Sequence, residues 1–376
     1  MSLNTAKEKQ ACSDLQLKEI EKSRDRNNTL QSYPTNLNED RWPVSQEDGS
    51  FRWVTGKDAP TENIFEKSQN DSSSDKPDRL HFYLYTQTYN ASDPVEIDMY
   101  NPETLVRSTF DFRNPTAFMI HGWKDVWSSG GTGSIRNALF QNRTINFISV
   151  DWKVYSNFEV YMISQKLCSK AGKVVAQFID WMHDNAKMRF DTLTLYGHSM
   201  GAQVAGFAGK NVKRGKVHTI VGMDPALPLF PYNDPTRRLA STDAEYVESI
   251  HTNGGYWGFY EPLGHIAFYP NGGKKQPGCE SEVDGLCSHI RALEFIVEAI
   301  NCPETNSFHA IKCERFEDVE EGKCDQYEII IRMGDSSNAH GPRGIYYLET
   351  NSESPYAKGI PESLEKKQEI KKRILS

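Results

Sequence analysis

Gly197-His198-Ser199-Met200-Gly201 reads G-x-S-x-G, and the residues on either side change hydrophobic period at the serine. Before it, Leu193 and Leu195 alternate with Thr192 and Thr194 and lead into Tyr196, the two-residue period of a strand. After it, Ala202, Ala205, Phe207 and Ala208 recur at helical spacing among small residues, which lets a helix pack close to a sheet. A serine at such a strand-to-helix switch stands at the tip of a strained turn with its hydroxyl exposed, placed to act as the nucleophile of an acyl transfer. Glycine is needed at 197 and 201 because a side chain at either would meet the adjoining strand or helix. The N–H of Met200 then lies at a helix N-terminus, where it can stabilise an oxyanion.

A serine nucleophile needs a base, and the base needs an orienting carboxylate. With this kind of elbow the chain order is Ser, then Asp or Glu, then His. Asp224 is the first carboxylate after the next strand, and Pro225 behind it favours an extended or turn conformation that lets the side chain face the site. Five histidines follow: His251, His265, His289, His309 and His340. His251 and His265 fall in strand-like runs, where a satisfied structural imidazole is expected. His289 stands between Cys287-Ser288 and the apolar helical run of Ile290, Leu293, Phe295, Ile296 and Ile300. A cysteine staple there would hold a loop histidine at a helix start, so His289 is the favoured base and the other four stay open. The second oxyanion donor is expected at an earlier strand end, in His121-Gly122-Trp123, where Gly122 permits close approach and the Trp123 N–H joins that of Met200. His121 and His198 precede the required order and read as structural.

The elements that must carry these groups are legible as runs of apolar sequence. Residues 81–86, 118–120, 145–152 and 217–223 read as strands, and Val160, Ile163, Leu167, Val174, Val175, Phe178, Ile179 and Met182 mark a crossover helix before the serine strand. Near-continuous apolar strands separated by helical stretches indicate an α/β fold with a mostly parallel central sheet flanked by helices. The chemically interesting groups lie just past the carboxyl ends of strands, where open α/β sheets place their sites. Residues 1–78 read as a polar extension with a short charged helix at 15–24 and an adherent segment carrying Trp42, Phe51 and Trp53. The main domain is expected at 79–355, and 356–376 form a charged tail.

The chain has 376 residues, with 43 Lys+Arg against 51 Asp+Glu, a formal net charge of −8 that argues against nucleic acid as a partner. No apolar run is long enough to span a bilayer. The first residues lack an apolar signal core, but sequons at Asn27, Asn70, Asn90 and Asn142 and five late cysteines, Cys279, Cys287, Cys302, Cys313 and Cys324, point to a secreted, disulfide-stapled glycoprotein whose signal segment is missing from this sequence. The chemistry needs no cofactor, and no convincing metal-ligand cluster is evident.

With these residues in view the chain resembles the animal pancreatic-lipase family, particularly its insect members. The resemblance runs from about residue 80 to about 350, through IHGW, VDW, GHSMGAQVAGFAGK, GMDPALPLF, GHIAFYPNGG, PGC and CSHIRA in that order. It implies an α/β-hydrolase fold, a triad of Ser199, Asp224 and His289, and an oxyanion hole from Trp123 and Met200. The family's lid lies between two cysteines, here Cys279 and Cys287, which are expected to be bonded, and only ESEVDGL stands between them. The chain ends soon after Leu348, so no C-terminal β-sandwich domain and no colipase partner are expected. In the family, a short lid with a short 251–264 loop goes with phospholipase A1 and galactolipase activity, as in wasp venom phospholipases. A stub carrying Glu280, Glu282 and Asp284 is expected to leave the site open and negatively fringed, with little to grip an oil droplet. Residues 254–260, GGYWGFY, can supply aromatic contacts to an acyl chain or pack in the core. The expected function is acyl hydrolysis of polar glycerolipids at a membrane or micelle surface. The alternatives are a triacylglycerol lipase, a general carboxylesterase and a non-catalytic yolk or storage protein.

Overall fold

The computed structural model describes residues 41–45, 51–55, 79–87, 93–302, 306–324 and 329–360. The expected helix at 15–24, the sequons Asn27, Asn70 and Asn90, and residues 361–376 of the tail lie outside the described residues. In chain order the strands are β1 (Arg41–Ser45), β2 (Phe51–Thr55), β3 (His81–Tyr85), β4 (Val95–Glu96), β5 (Thr116–Ile120), β6 (Asn146–Asp151), β7 (Leu193–His198), β8 (Thr219–Met223), β9 (Tyr246–Ile250), β10 (Ile266–Pro270), β11 (His309–Cys313), β12 (Ile330–Arg332) and β13 (Gly344–Leu348). The α-helices are α1 (Glu103–Val106), α2 (Gly130–Asn142), α3 (Lys153–Ser156), α4 (Tyr161–Ala186), α5 (Met200–Asn211), α6 (Leu286–Asn301) and α7 (Phe316–Glu321).

β1 and β2 form an antiparallel hairpin of their own. The other strands build one sheet in the order β12-β11-β13-β10-β9-β8-β7-β5-β6-β3-β4. Its middle, from β13 to β6, is parallel, while β3, β4, β11 and β12 close the edges antiparallel. The fold is thus the mostly parallel, helix-flanked sheet expected from the apolar runs. Alternation along each strand feeds two cores. Phe118, Ile120, Ile148 and Leu195 pack with Val175, Phe178 and Ile179 of α4 and Val204 of α5, whereas Ala117, Met119, Phe147 and Tyr196 pack with Ile135 and Leu139 of α2 and Leu293 and Ile296 of α6. Both faces are therefore dry, which is why these strands read as continuous hydrophobic runs.

The crossover helix spans Tyr161–Ala186 and closes on Lys187 in the left-handed region, φ 54. It lies tight against α5 because Gly172 has no side chain: a β-carbon there would come within 2.3 Å of Phe207 Cβ. Beyond β8 the helix alternation stops. The β8–β9 and β9–β10 connections, residues 224–245 and 251–265, are loops, the first with two short 3₁₀ turns, and the 251–265 loop reaches back over the carboxyl ends of the strands to the site.

Glu248, in the middle of β9, is a buried carboxyl held by the Tyr246 hydroxyl at 2.6 Å and the Gly334 N–H at 3.0 Å. Burial outweighs these donors and pushes it up to about 7. A carboxyl whose folded-state pKa is raised binds its proton more tightly folded than unfolded, so its stabilising contribution is present at low pH and is lost as pH rises from about 4.5 through about 7. Glu248→Gln keeps the shape and one acceptor. It is expected to flatten the fall in melting temperature between about pH 5 and pH 8, as read by thermal melts of the two proteins. A parallel fall in both would remove Glu248 as the cause.

Candidate active site

Ser199 stands between β7 and α5 at φ 54, ψ −122, a conformation a side chain adopts only when its surroundings impose it. The Ser199 N–H donates to Met223 O at 3.0 Å, and its carbonyl accepts from the N–H groups of Ala202 and Ala226. A β-carbon at Gly197 would fall 2.5 Å from Gly201 O, and one at Gly201 would fall 2.0 Å from Ile120 O. Backbone blocks both, so the two glycines are required for the reason expected. Met200 opens α5 and is buried, and a first-turn N–H has no acceptor within its own helix. Across the turn, Gly122 brings the backbone so near that its β-carbon would lie 3.3 Å from Ser199 Cβ. This sets the Trp123 peptide beside the serine, while the Trp123 indole N–H donates to Phe158 O at 2.9 Å.

Asp224, past the end of β8, is fully buried and accepts three hydrogen bonds. His289 Nδ1–H donates to Oδ2 at 2.5 Å, and the N–H groups of Thr252 and Asn253 donate to Oδ1 at 2.8 and 3.0 Å. The bond from Nδ1 leaves His289 Nε2 as the acceptor in the neutral ring. Gly258 permits this burial, since a β-carbon there would lie 2.4 Å from Asp224 Oδ1. Pro225 does not hold Asp224 extended: the residue is left-handed, φ 41, a region Asp tolerates. The carboxylate is aimed by the Asp224 N–H to Ile250 O bond, 2.7 Å, together with that turn.

His289 is not in a loop before a helix, as its neighbours suggest. Helix α6 begins at Leu286, after Gly285 at φ 67, and the His289 N–H already donates to Gly285 O at 3.0 Å. The imidazole therefore projects from the first turn of a buried helix, a firmer mount than a loop. His198 sits against it with ring centroids 4.6 Å apart and donates Nε2–H to His289 O at 3.2 Å. Burial and the neighbouring His289 drive His198 down to about 3, so it stays neutral. The remaining histidines are accounted for elsewhere. His251 bonds Phe259 O at 2.7 Å and Ser249 Oγ at 2.9 Å, and burial lowers it to about 4. His265 Nδ1 accepts from Val247 N–H at 3.0 Å, His309 lies in β11, and His340 ends the turn before β13. His121 is fully buried and donates Nδ1–H to Gly122 O at 2.9 Å. Of the five candidates, His289 is the one the fold brings to both Asp224 and the serine cavity.

Cys279 and Cys287 are bonded, as are Cys313 and Cys324, and Cys302 is disulfide-bonded too. Cys168 is a buried thiol. Of the acidic residues between Cys279 and Cys287, Glu282 leaves the expected negative fringe, while Glu280 stays exposed. The Glu282 carboxylate turns inward, accepts from the Ser288 N–H at 2.9 Å and binds the Ser288 hydroxyl, and burial raises its pKa. Asp284 Oδ1 accepts from the Leu286 N–H at 3.1 Å, and Glu280 Oε1 from the Gly278 N–H at 2.9 Å. Glu282 and Asp284 thus serve as acceptors for orphan N–H groups at the start of α6. Among the described residues, Cys279, Glu282 and Cys287 are also the one His/Cys/Asp/Glu group with metal-ligand spacing, and the disulfide occupies both sulfurs.

Ser199 and His289 open onto a cavity of about 210 Å³ lined by Trp123, Tyr161, Trp257, Leu286, Ile290 and Leu293. The GGYWGFY stretch divides between its two expected roles. Trp257 joins the cavity, stacked on His289 with centroids 6.0 Å apart and its indole N–H on Asp284 O at 2.6 Å, whereas Phe259 is buried in the core. Residue-level reading missed Tyr161, Leu286 and Ile290 as lining residues, since their apolar pattern is the same as that of any helix packed on a sheet. It missed Asn253 as well, whose N–H holds Asp224 while its Oδ1 accepts from the Trp257 N–H at 3.1 Å.

A mostly parallel sheet, a strained serine between strand and helix, and a buried Asp–His pair reached in the order Ser, Asp, His define the α/β-hydrolase class. The Lipase family profile matches residues 51–356, and the chain belongs to that family. It is 35% identical over 251 residues to lipoprotein lipase of Gallus gallus, covering 59% of this chain and 49% of that protein. To phospholipase A1 1 of Polistes dominula it is 33% identical over 262 residues, covering 64% and 73%. To pancreatic triacylglycerol lipase of Sus scrofa it is 30% identical over 309 residues, covering 74% and 67%. The chain thus spans about half the length of the first of these relatives. Among the described residues no helix is long and apolar enough to cross a membrane.

Proposed function

We propose that the protein is a secreted hydrolase of lipid carboxylic esters, with Ser199 as nucleophile, His289 as base and Asp224 as its orienting carboxylate. The observation that carries this reading is the His289 Nδ1–H to Asp224 Oδ2 bond of 2.5 Å at the wall of an apolar cavity shared with Ser199. His289 Nε2 takes the Ser199 proton as the hydroxyl oxygen attacks the ester carbonyl. The N–H groups of Met200 and Trp123 hold the resulting oxyanion, and the imidazolium returns the proton to the leaving alcohol. Water, deprotonated by the same nitrogen, then releases the fatty acid from the acyl-enzyme. Asp224 remains ionised throughout and stabilises the imidazolium. Disulfides at Cys279–Cys287 and Cys313–Cys324 fit an oxidising compartment.

The preferred substrates in this reading are polar glycerolipids. The segment between Cys279 and Cys287 is closed by a disulfide, hydrogen-bonded within itself and tied to the 251–265 loop through Trp257, which supports a fixed rim and not a swinging apolar flap. Of the three relatives named above, the wasp phospholipase A1 is matched over the largest share of its length. Acyl release from matched phospholipid, galactolipid and long-chain triglyceride is expected to be fastest on the polar lipids, without a large jump when substrate passes from dispersed to aggregated form. Strong interfacial activation on triglyceride with little action on phospholipid would sink the substrate assignment and leave the serine chemistry standing.

A further inference from the structure

Among the described residues lining the Ser199 cavity, Lys124 is the one lysine or arginine. It directly follows Trp123, so its Cα is one peptide step, about 3.8 Å, from that of the proposed oxyanion donor. Its backbone is left-handed, φ 55, a conformation that costs energy for a residue with a β-carbon and that concentrates at functional positions. The turn is held by the Lys124 N–H on Ser156 O at 3.0 Å, and Lys124 Nζ donates to Glu159 Oε1 at 2.5 Å. The two partners are unequal: the Lys124 side chain is 23% exposed and that of Glu159 is 65% exposed. An ion pair with one largely exposed partner is weak and exchangeable.

The other titratable groups facing this corner do not compete for an anion. Asp125 is half-buried, its carboxyl raised by desolvation, and it is engaged with the Val126 N–H at 2.8 Å and the Ser129 hydroxyl at 3.3 Å. His121 and His198 are held neutral by burial, and His289 is committed to Asp224.

We infer that Lys124 is a specificity residue of this site, receiving the phosphate of a glycerophospholipid whose ester lies on Ser199 and exchanging the Glu159 carboxylate for it. The inference rests on the lipid-ester reading above. In such a lipid the phosphate is joined to the scissile ester through the glycerol backbone alone, so a cation next to the oxyanion donor meets it at short range. A triglyceride or galactolipid presents no anion there. Lysine suits the task as a point charge on a flexible stem, able to leave one anion for another.

The experiment compares wild type, Lys124→Gln and Glu159→Gln on mixed micelles of phosphatidylcholine and of the acyl-matched neutral diacylglycerol in one nonionic detergent. Phosphatidylcholine is zwitterionic, so its micelles carry no net surface charge and a change in rate reports the phosphate contact itself. In Lys124→Gln the ratio of kcat/KM on phosphatidylcholine to kcat/KM on diacylglycerol is expected to fall roughly tenfold or more, the range of a lost charge-assisted bond. In Glu159→Gln, which removes the competing carboxylate and leaves the lysine, the same ratio is expected to rise. A purely structural ion pair predicts that the two variants move together, and that result, or an unmoved ratio in both, overturns the inference. Should Lys124→Gln fail to fold, a fall or no change in the ratio for Glu159→Gln overturns it alone. Wild type that releases acid from neither lipid sinks the functional reading itself, whereas release from both with an unmoved ratio sinks only the role of Lys124.

Discussion

Ser199→Ala is expected to lose acyl release by about 10⁴-fold or more. The hydroxyl is the only atom of the residue that the proposed reaction consumes, and the elbow that presents it is held by backbone. The bonds to Met223, Ala202 and Ala226 and the close approaches at Gly197 and Gly201 all survive the substitution. The variant should therefore fold and melt like the parent. Its residual rate would come from water entering a site that still offers the Met200 and Trp123 amides. Covalent labelling by a fluorophosphonate probe should disappear with the hydroxyl. A wild-type protein that fails to label would favour the storage-protein alternative, because a geometry inherited from an enzyme need not still react.

Asp224→Asn is expected to cost kcat about 10⁴-fold, almost as much as losing the nucleophile. The reason lies in the unequal use of the two carboxylate oxygens. Oδ1 accepts from two backbone donors, the N–H groups of Thr252 and Asn253, and Oδ2 accepts from His289. Asparagine must keep its carbonyl on the two backbone donors and so turns its NH₂ toward His289 Nδ1. Facing a donor, Nδ1 becomes the acceptor, and the ring's one proton moves to Nε2, the nitrogen that has to take a proton from Ser199. The variant thus holds the right residues in the wrong tautomer. Circular dichroism and melting temperature should change little, since shape and backbone bonds are retained. Activity within tenfold of wild type would mean that another group orients the base.

These two expectations differ in how far each was visible before the fold. Ser199 was legible because its signal is local: alternation up to Tyr196, helical spacing from Ala202, and two glycines that only a tight strand-to-helix turn explains. The mostly parallel character of the sheet and the dry character of both its faces were legible for a similar reason, since a strand covered twice must be apolar at successive positions. The antiparallel edges were not, because β3 and β11 carry the same kind of alternation whichever way their neighbours run.

What the chain determined by itself is the set of chemical groups and the local shapes that short-range sterics impose: a nucleophile elbow, a glycine before Trp123, a carboxylate after β8 and a histidine beside a cysteine. The tertiary structure decided which of these meet. Five histidines follow Asp224, and spacing alone leaves them open; His289 is selected because α6 packs against the β7–α5 turn and brings its first turn onto Asp224, while His251 is bonded to Phe259 and Ser249 from within the sheet. The same step turned Glu282 from a surface charge into an acceptor for Ser288, and drew Trp257 out of an aromatic run to lie against His289. Each of these outcomes depends on desolvation, which is set by what covers a residue from elsewhere in the chain. A linear sequence states a residue's charge and size, but whether that charge is solvated, paired or buried is a property of the packed fold.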